Sequence, residues 1–206
     1  MPHATRRTLL GASLASAFVG VAAAQTSDHM TIGAADAPLH LTEFASLTCP
    51  HCAHFHETNW STLKTRYIDT GRVRFTLHEM LTPPPGVALG MFQVARCNNA
   101  SAQEYMRRVA ILFERQAAIM STGTLAGVRD ALLAAGAEWG LSQEQVMASL
   151  SDPAGADRAR RSLASADAAG ITATPSFQFN GVRETDTAFL TPQGMVRILD
   201  ARLAAL

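Results

Sequence analysis

Between Gly86 and Gly170 the chain carries helix signals and no strand pattern, while strand patterns lie on both sides of that block. Upstream, Leu39-His-Leu-Thr-Glu-Phe44 alternates as a strand does, and Val73 to Met80 is a second strand candidate closed by Pro83-Pro84-Pro85. Between them a helical pattern runs to about Asp69, with Trp60, Leu63, Tyr67 and Ile68 as its core-facing stripe and Gly71 as its stop. Downstream, Pro175–Phe179 and Val182–Glu184 flank Asn180-Gly181, a favoured two-residue hairpin turn. Thr191-Pro192 then opens a last helix to about Leu203. Inside the block, Ser101 with Glu104 and Ser142 with Gln145 read as capping boxes, Asp152-Pro153 as a helix start, and Gly123, Gly136 and Gly140 as separators. Residues 25–38 read as a polar lead-in. The order strand, helix, strand, helical block, hairpin, helix predicts an α/β fold, and 206 residues suit one domain with an insertion.

Hydrophobic residues make up 48% of the chain and charged residues 17%, so a large core is available and disorder is excluded. Lys+Arg and Asp+Glu are both 17, Lys64 is the sole lysine, and no basic block occurs, which argues against nucleic acid as a partner. Cys49, Cys52 and Cys97 are too few for a disulfide scaffold. Function is therefore sought in a local site.

Residues 1–24 read as an export signal. Arg6 and Arg7 give a positive start, Leu9 to Ala24 is free of charge, and Ala22-Ala23-Ala24 offers a cleavage site before Gln25. The apolar stretch falls short of the ~20 residues that a membrane span needs, and no second one follows, so a soluble mature protein is expected. Thr5-Arg6-Arg7-Thr8-Leu9-Leu10 is similar to a twin-arginine signal. Export places the thiols in an oxidising compartment, the periplasm in the case of a bacterium.

Cys49-Pro50-His51-Cys52 stands where the first strand gives way to a helix. Two cysteines three apart face each other across the first helical turn and can close a small disulfide. Unpaired N–H groups and the helix dipole favour an anion at that end, so the Cys49 thiol is expected to ionise readily. Stabilising the thiolate stabilises the reduced form and makes the disulfide an oxidant. Pro50 suits the first helical turn, and His51 can add a positive charge or a hydrogen bond near the sulfur. Haem attachment needs histidine directly after the second cysteine, where Ala53 stands; a structural zinc site needs four ligands, and only Cys97 remains. Three histidines, His51, His54 and His56, keep copper or zinc handling open as an alternative, although His56 points away from the other two. Cys97 reads as a buried, inert helix residue.

Glu43 continues the strand face of Leu39 and Leu41 and is expected to be buried, where an acid can trade protons near neutral pH.

Glu-Phe-Ala-Ser-Leu-Thr-Cys-Pro-His-Cys over 43–52, followed by Phe55 and His56, resembles the active-site segment of DsbA-like thiol:disulfide oxidoreductases of the thioredoxin superfamily. Thr172-Ala-Thr-Pro-Ser-Phe177 resembles their second motif. The resemblance covers residues 30–205. It implies a thioredoxin fold interrupted by an all-helical insertion: first part 25–85, insertion 86–170, second part 171–206. It also implies that Cys49 forms a mixed disulfide with a substrate and Cys52 resolves it, while Pro50 and His51 set the redox poise. Glu43 then moves protons to and from Cys52; relatives often pair this acid with a lysine, and here His78 on the second strand is a better placed partner than Lys64. Pro175 becomes a cis-proline facing the disulfide, with the Thr174 backbone pairing with substrate. The expected protein is a monomer without cofactor or metal that oxidises reduced secreted proteins and is regenerated by a membrane quinone-linked DsbB-like partner. A reductase or isomerase is the alternative within the class.

Overall fold

The computed structural model describes residues 28–206 and Met1, so the body of the export segment read over 1–24 lies outside the described residues. Strands β1 (Met30–Ile32), β2 (Leu39–Ala45) and β3 (Val73–Glu79) enclose α1 (Pro50–Leu63), which runs on into a π turn over Lys64–Ile68. Six helices follow: α2 (Pro85–Arg96), α3 (Ala102–Glu114), α4 (Gln116–Ser121), α5 (Leu125–Glu138), α6 (Gln143–Leu150) and α7 (Pro153–Ala168). The sheet then resumes with β4 (Ser176–Phe179) and β5 (Val182–Arg183), and a 3₁₀ turn at Thr187–Leu190 leads into α8 (Pro192–Ala204).

The five strands lie in the order β1-β3-β2-β4-β5. β2 runs parallel to β3, with Glu43 beside Leu77, and antiparallel to β4, with Glu43 beside Phe177. Alternation along β2 sends Leu39, Leu41 and Glu43 to one face, where Phe55, Phe75, Phe177 and Phe189 are also buried in the main core. Phe44 goes to the other face and packs with Ala166 of α7 and Ile171. Both faces are thus covered, which is why most residues of β2 and β3 are buried, polar ones such as Glu43, His78 and Glu79 included.

The helical block is fastened to the end of β3. Glu79 accepts hydrogen bonds from Arg96 Nε of α2 and Tyr105 OH of α3, each at 2.6 Å, and its carbonyl accepts one from Ser162 Oγ of α7 at 2.7 Å.

Three local expectations need correcting, and the expected hairpin turn is met. The lead-in over 25–38 contains β1, a three-residue strand antiparallel to β3, with Thr31 and Thr76 hydroxyls 2.7 Å apart. Gly136 does not separate helices: it lies inside α5, where an added Cβ would come within 2.4 Å of Val146 Cγ2 on α6, so it permits close helix packing. Ser101 caps α3 from its side chain, but Glu104 turns to Arg107 and Arg108 instead of closing the box; Ser142 and Gln145 do close theirs. Asn180 and Gly181, with φ of 49° and 81°, make the hairpin turn on left-handed backbone.

Candidate functional site

Cys49 is the N-cap residue of α1 and Pro50 its first helical residue. The cap residue has extended backbone, and no side chain caps the helix, so its N-terminal N–H groups are left to face the sulfur. Cys49 is 7% exposed and Cys52, one turn on, is fully buried; both are thiols, as is Cys97. Across the fold, Cys49 Sγ donates to the Thr174 carbonyl at 3.4 Å, and the Thr174–Pro175 peptide bond is cis. The two motifs, 125 residues apart in sequence, therefore meet at one sulfur.

The two thiols are displaced in opposite directions. Hydrogen bonding from the Cys52 thiol, helped by Thr174 and the backbone N–H groups of Cys52 and His51, outweighs burial and brings Cys49 down to about 5. Burial, the hydrogen bond to Cys49 and the negative charge of Glu43 push Cys52 far above the usual thiol range. His51 acts on the sulfur through its backbone N–H. The residue itself is exposed.

Glu43 is fully buried beneath the pair, and its partner is His56 of α1: Nε2 lies 2.9 Å from Oε2. His78 is not the partner. It lies beside Phe44 on the opposite face of the sheet, its Nε2 is 2.7 Å from the Ser162 carbonyl, and its ring stacks on His29. Lys64 pairs with Asp69. The His56 ring is held between Trp60, 5.1 Å away, and Phe113 of α3, 4.2 Å away. The histidines therefore diverge: His51 and His54 are exposed, His56 is enclosed, and no group of three or more metal-ligating side chains occurs among the described residues.

Gln116 of α4, to which no sequence signal pointed, donates from Nε2 to the carbonyls of Leu47 at 2.8 Å and Cys49 at 3.1 Å. The helical block thus grips the loop that presents the Cys49 sulfur. Cys97 is buried with its thiol on the Gln145 carbonyl, away from the site. Beside α1, a groove of about 1260 Å³ opens between α1 and α3 and is bordered by His56, Trp60, Met106 and Phe113.

A family model described as thioredoxin matches residues 25–201. The chain is 33% identical over 158 residues to a Na(+)/H(+) antiporter NhaA of Herminiimonas arsenicoxydans, covering 76% of this chain and 23% of that protein. It is 28% identical over 159 residues to a Rickettsia bellii chain that carries the name protein-disulfide oxidoreductase, covering 75% of this chain and 58% of that one. It therefore spans under two thirds of either relative. Among solved structures, Wolbachia pipientis alpha-DsbA1 superposes with a TM-score of 0.75 at 21% identity, over 87% of this chain and 92% of that one. Bacillus subtilis BdbD superposes with a TM-score of 0.73 at 18% identity, over 86% and 94%. Sheet order, inserted helices and family match agree: the chain belongs to the thioredoxin family and has the fold of its DsbA members, with a helical block set between β3 and β4.

Proposed function

We propose that the chain is an exported thiol:disulfide oxidoreductase that gives the Cys49–Cys52 disulfide to reduced secreted proteins. One observation carries this: two thiols in hydrogen-bond contact, one stabilised as an anion at a helix tip and the other held protonated in the core, opposite Thr174 and Pro175. The Rickettsia relatives named for protein-disulfide oxidoreduction support it.

A substrate thiolate attacks Cys49 Sγ. The Cys49–Cys52 bond breaks, a Cys49–substrate disulfide forms, and Cys52 leaves with the electron pair and takes a proton. A second substrate thiolate attacks the substrate sulfur of that mixed disulfide and expels Cys49 as its stable thiolate. Two electrons pass from the substrate dithiol to the enzyme. Pro50 and the His51 backbone shape the anion site, Glu43 exchanges the proton with Cys52, and the Thr174 backbone aligns the substrate beside Pro175 as an added strand. The segment over 1–24 directs the chain to the periplasm. It works there as a monomer, and a membrane quinone-linked DsbB-like protein withdraws the two electrons. No cofactor is needed, because the sulfurs themselves carry the two electrons.

Equilibration of the purified protein with glutathione redox buffers tests the direction. A couple far more oxidising than the ~−270 mV of thioredoxin fits the donor role. A thioredoxin-like value assigns the chain to the reductases instead.

A further inference from the structure

Buried acids are commonly matched by a permanent positive charge; here the partner is an imidazole, which can lose its charge at neutral pH. Glu43 lies within the core at 0% exposure and does not border the groove between α1 and α3, whereas His56 does. His56 Nε2 is engaged by Glu43 Oε2, and among the described residues neither His56 Nδ1 nor Glu43 Oε1 has a hydrogen-bond partner. Trp60 and Phe113 stack on the two sides of the ring and hold it in register with the carboxyl. Among the described residues no other cation is placed against Glu43: its strand neighbours are Leu77 and Phe177, Lys64 is bound to Asp69, and His78 is on the far face of the sheet. The charged groups sharing the groove with His56 are His54 and Glu57 of α1, the Lys64–Asp69 pair, and Arg107 and Glu114 of α3.

We infer that His56 is the positioning residue that sets the charge of Glu43, by sharing one proton with that carboxyl and exchanging it with the groove between α1 and α3. This rests on the proposed role of Glu43 as proton partner of Cys52. With the shared proton present the pair is neutral. Without it, one negative charge is left beside Cys52 and opposes its thiolate. When the Cys49–Cys52 bond is cleaved, Cys52 takes the shared proton, and a proton from groove water restores the pair. When an incoming disulfide reoxidises the enzyme, the Cys52 proton leaves by the reverse course. The reactivity of Cys52 therefore follows the acidity of the groove.

The test is the pH profile of reoxidation of the reduced protein by a small disulfide, for the natural protein, His56→Gln, Glu43→Gln and the double variant, with thermal midpoints recorded for each. Glutamine keeps a donor for Glu43 but holds no exchangeable charge. His56→Gln is expected to slow reoxidation at neutral pH by about tenfold, one pK unit of uncompensated charge, and to abolish the inflection that the natural protein is expected to show above the Cys49 step near pH 5. Adding Glu43→Gln removes the stranded charge and returns the rate to that of Glu43→Gln alone. An inflection above the Cys49 step that persists in His56→Gln, or a double variant slower than both singles, overturns the inference. If Glu43→Gln slows exchange while His56→Gln keeps the natural profile, the role of Glu43 stands and that of His56 falls; if neither substitution has an effect, both fall. Should His56→Gln fail to fold, ¹⁵N-histidine NMR of the natural protein decides. The His56 titration midpoint is expected to differ between the disulfide and dithiol forms, and equal midpoints overturn the inference.

Discussion

Cys52 donates its thiol hydrogen to the sulfur of Cys49; that contact is the largest influence lowering Cys49, and after burial it is the second raising Cys52. The anion on Cys49 is stabilised by a donor that the fold keeps from ionising, because Cys52 is fully enclosed and lies near the charge of Glu43. One helical turn thus creates an ionised thiol and a protonated one from two identical side chains.

Replacing Cys52 by alanine removes the largest influence holding Cys49 down. Ultraviolet titration of the thiolate is expected to show a midpoint near 5 in the reduced natural protein and a clearly higher one in Cys52→Ala. The backbone N–H groups of His51 and Cys52 and the hydrogen bond from the Thr174 side chain remain, so the midpoint stays below the ordinary thiol value of 9.0. An unchanged midpoint would show that the helix tip alone sets the anion.

The same displacement links redox state to stability. The Cys49 thiol ionises at about 5 when folded and at 9.0 ordinarily, so the depressed value stabilises the reduced fold fully above pH 9. This contribution falls steadily below that and is gone below pH 5. At neutral pH it amounts to roughly 3 kcal/mol, two pK units at about 1.4 kcal/mol each. The disulfide form has no such thiol. Thermal unfolding of both forms across this range is expected to show the advantage of the reduced form shrinking as the solution is acidified. A gap independent of pH would contradict a low Cys49 midpoint.

Much of this site is legible in the sequence, for reasons that can be named. Cys49, Pro50 and Cys52 sit in one local pattern at a strand–helix junction, and Pro175 opens a strand before a hairpin turn, so neighbours alone mark them. Glu43 shows its burial through the alternation of Leu39 and Leu41. His56 is half legible: four residues after Cys52, it must share that helix face, but its pairing with Glu43 depends on how α1 is laid on β2. His78 is misleading because the β2–β3 register sets Leu77 beside Glu43, which turns the next side chain to the opposite face. Three residues of β1 are too few to show a period. Gln116 lies 67 residues from the carbonyl of Cys49 that it holds, and no local pattern encodes such a contact.

Gln116→Ala tests that long-range grip. The carbonyl of Cys49 keeps its bonds from the N–H groups of Cys52 and Ala53, whereas the Leu47 carbonyl loses a donor in a buried setting. A loss of about 1–3 kcal/mol is expected in chemical denaturation, together with faster hydrogen exchange at the start of α1. A variant as stable as the natural protein would mean that the insertion only covers the active-site loop and does not hold it.

Glu79 provides the matching test of stability without chemistry. Its carboxylate is buried against Arg96, itself only 9% exposed on its side chain, and it also accepts from Tyr105. Glu79→Ala strands a guanidinium and a phenol in the interior, and removing one partner of such a pair costs about 3–5 kcal/mol. Arg96 keeps its bond to the Asp28 carbonyl and its place over the Tyr105 ring, which favours the lower end of that range. The pair joins β3 to α2 and α3 and has no contact with Cys49 or Cys52, so the glutathione equilibrium of the folded fraction is expected to match that of the natural protein. A shifted equilibrium would mean that the seating of the helical block on β3, and not only the groups around the sulfurs, sets the redox balance.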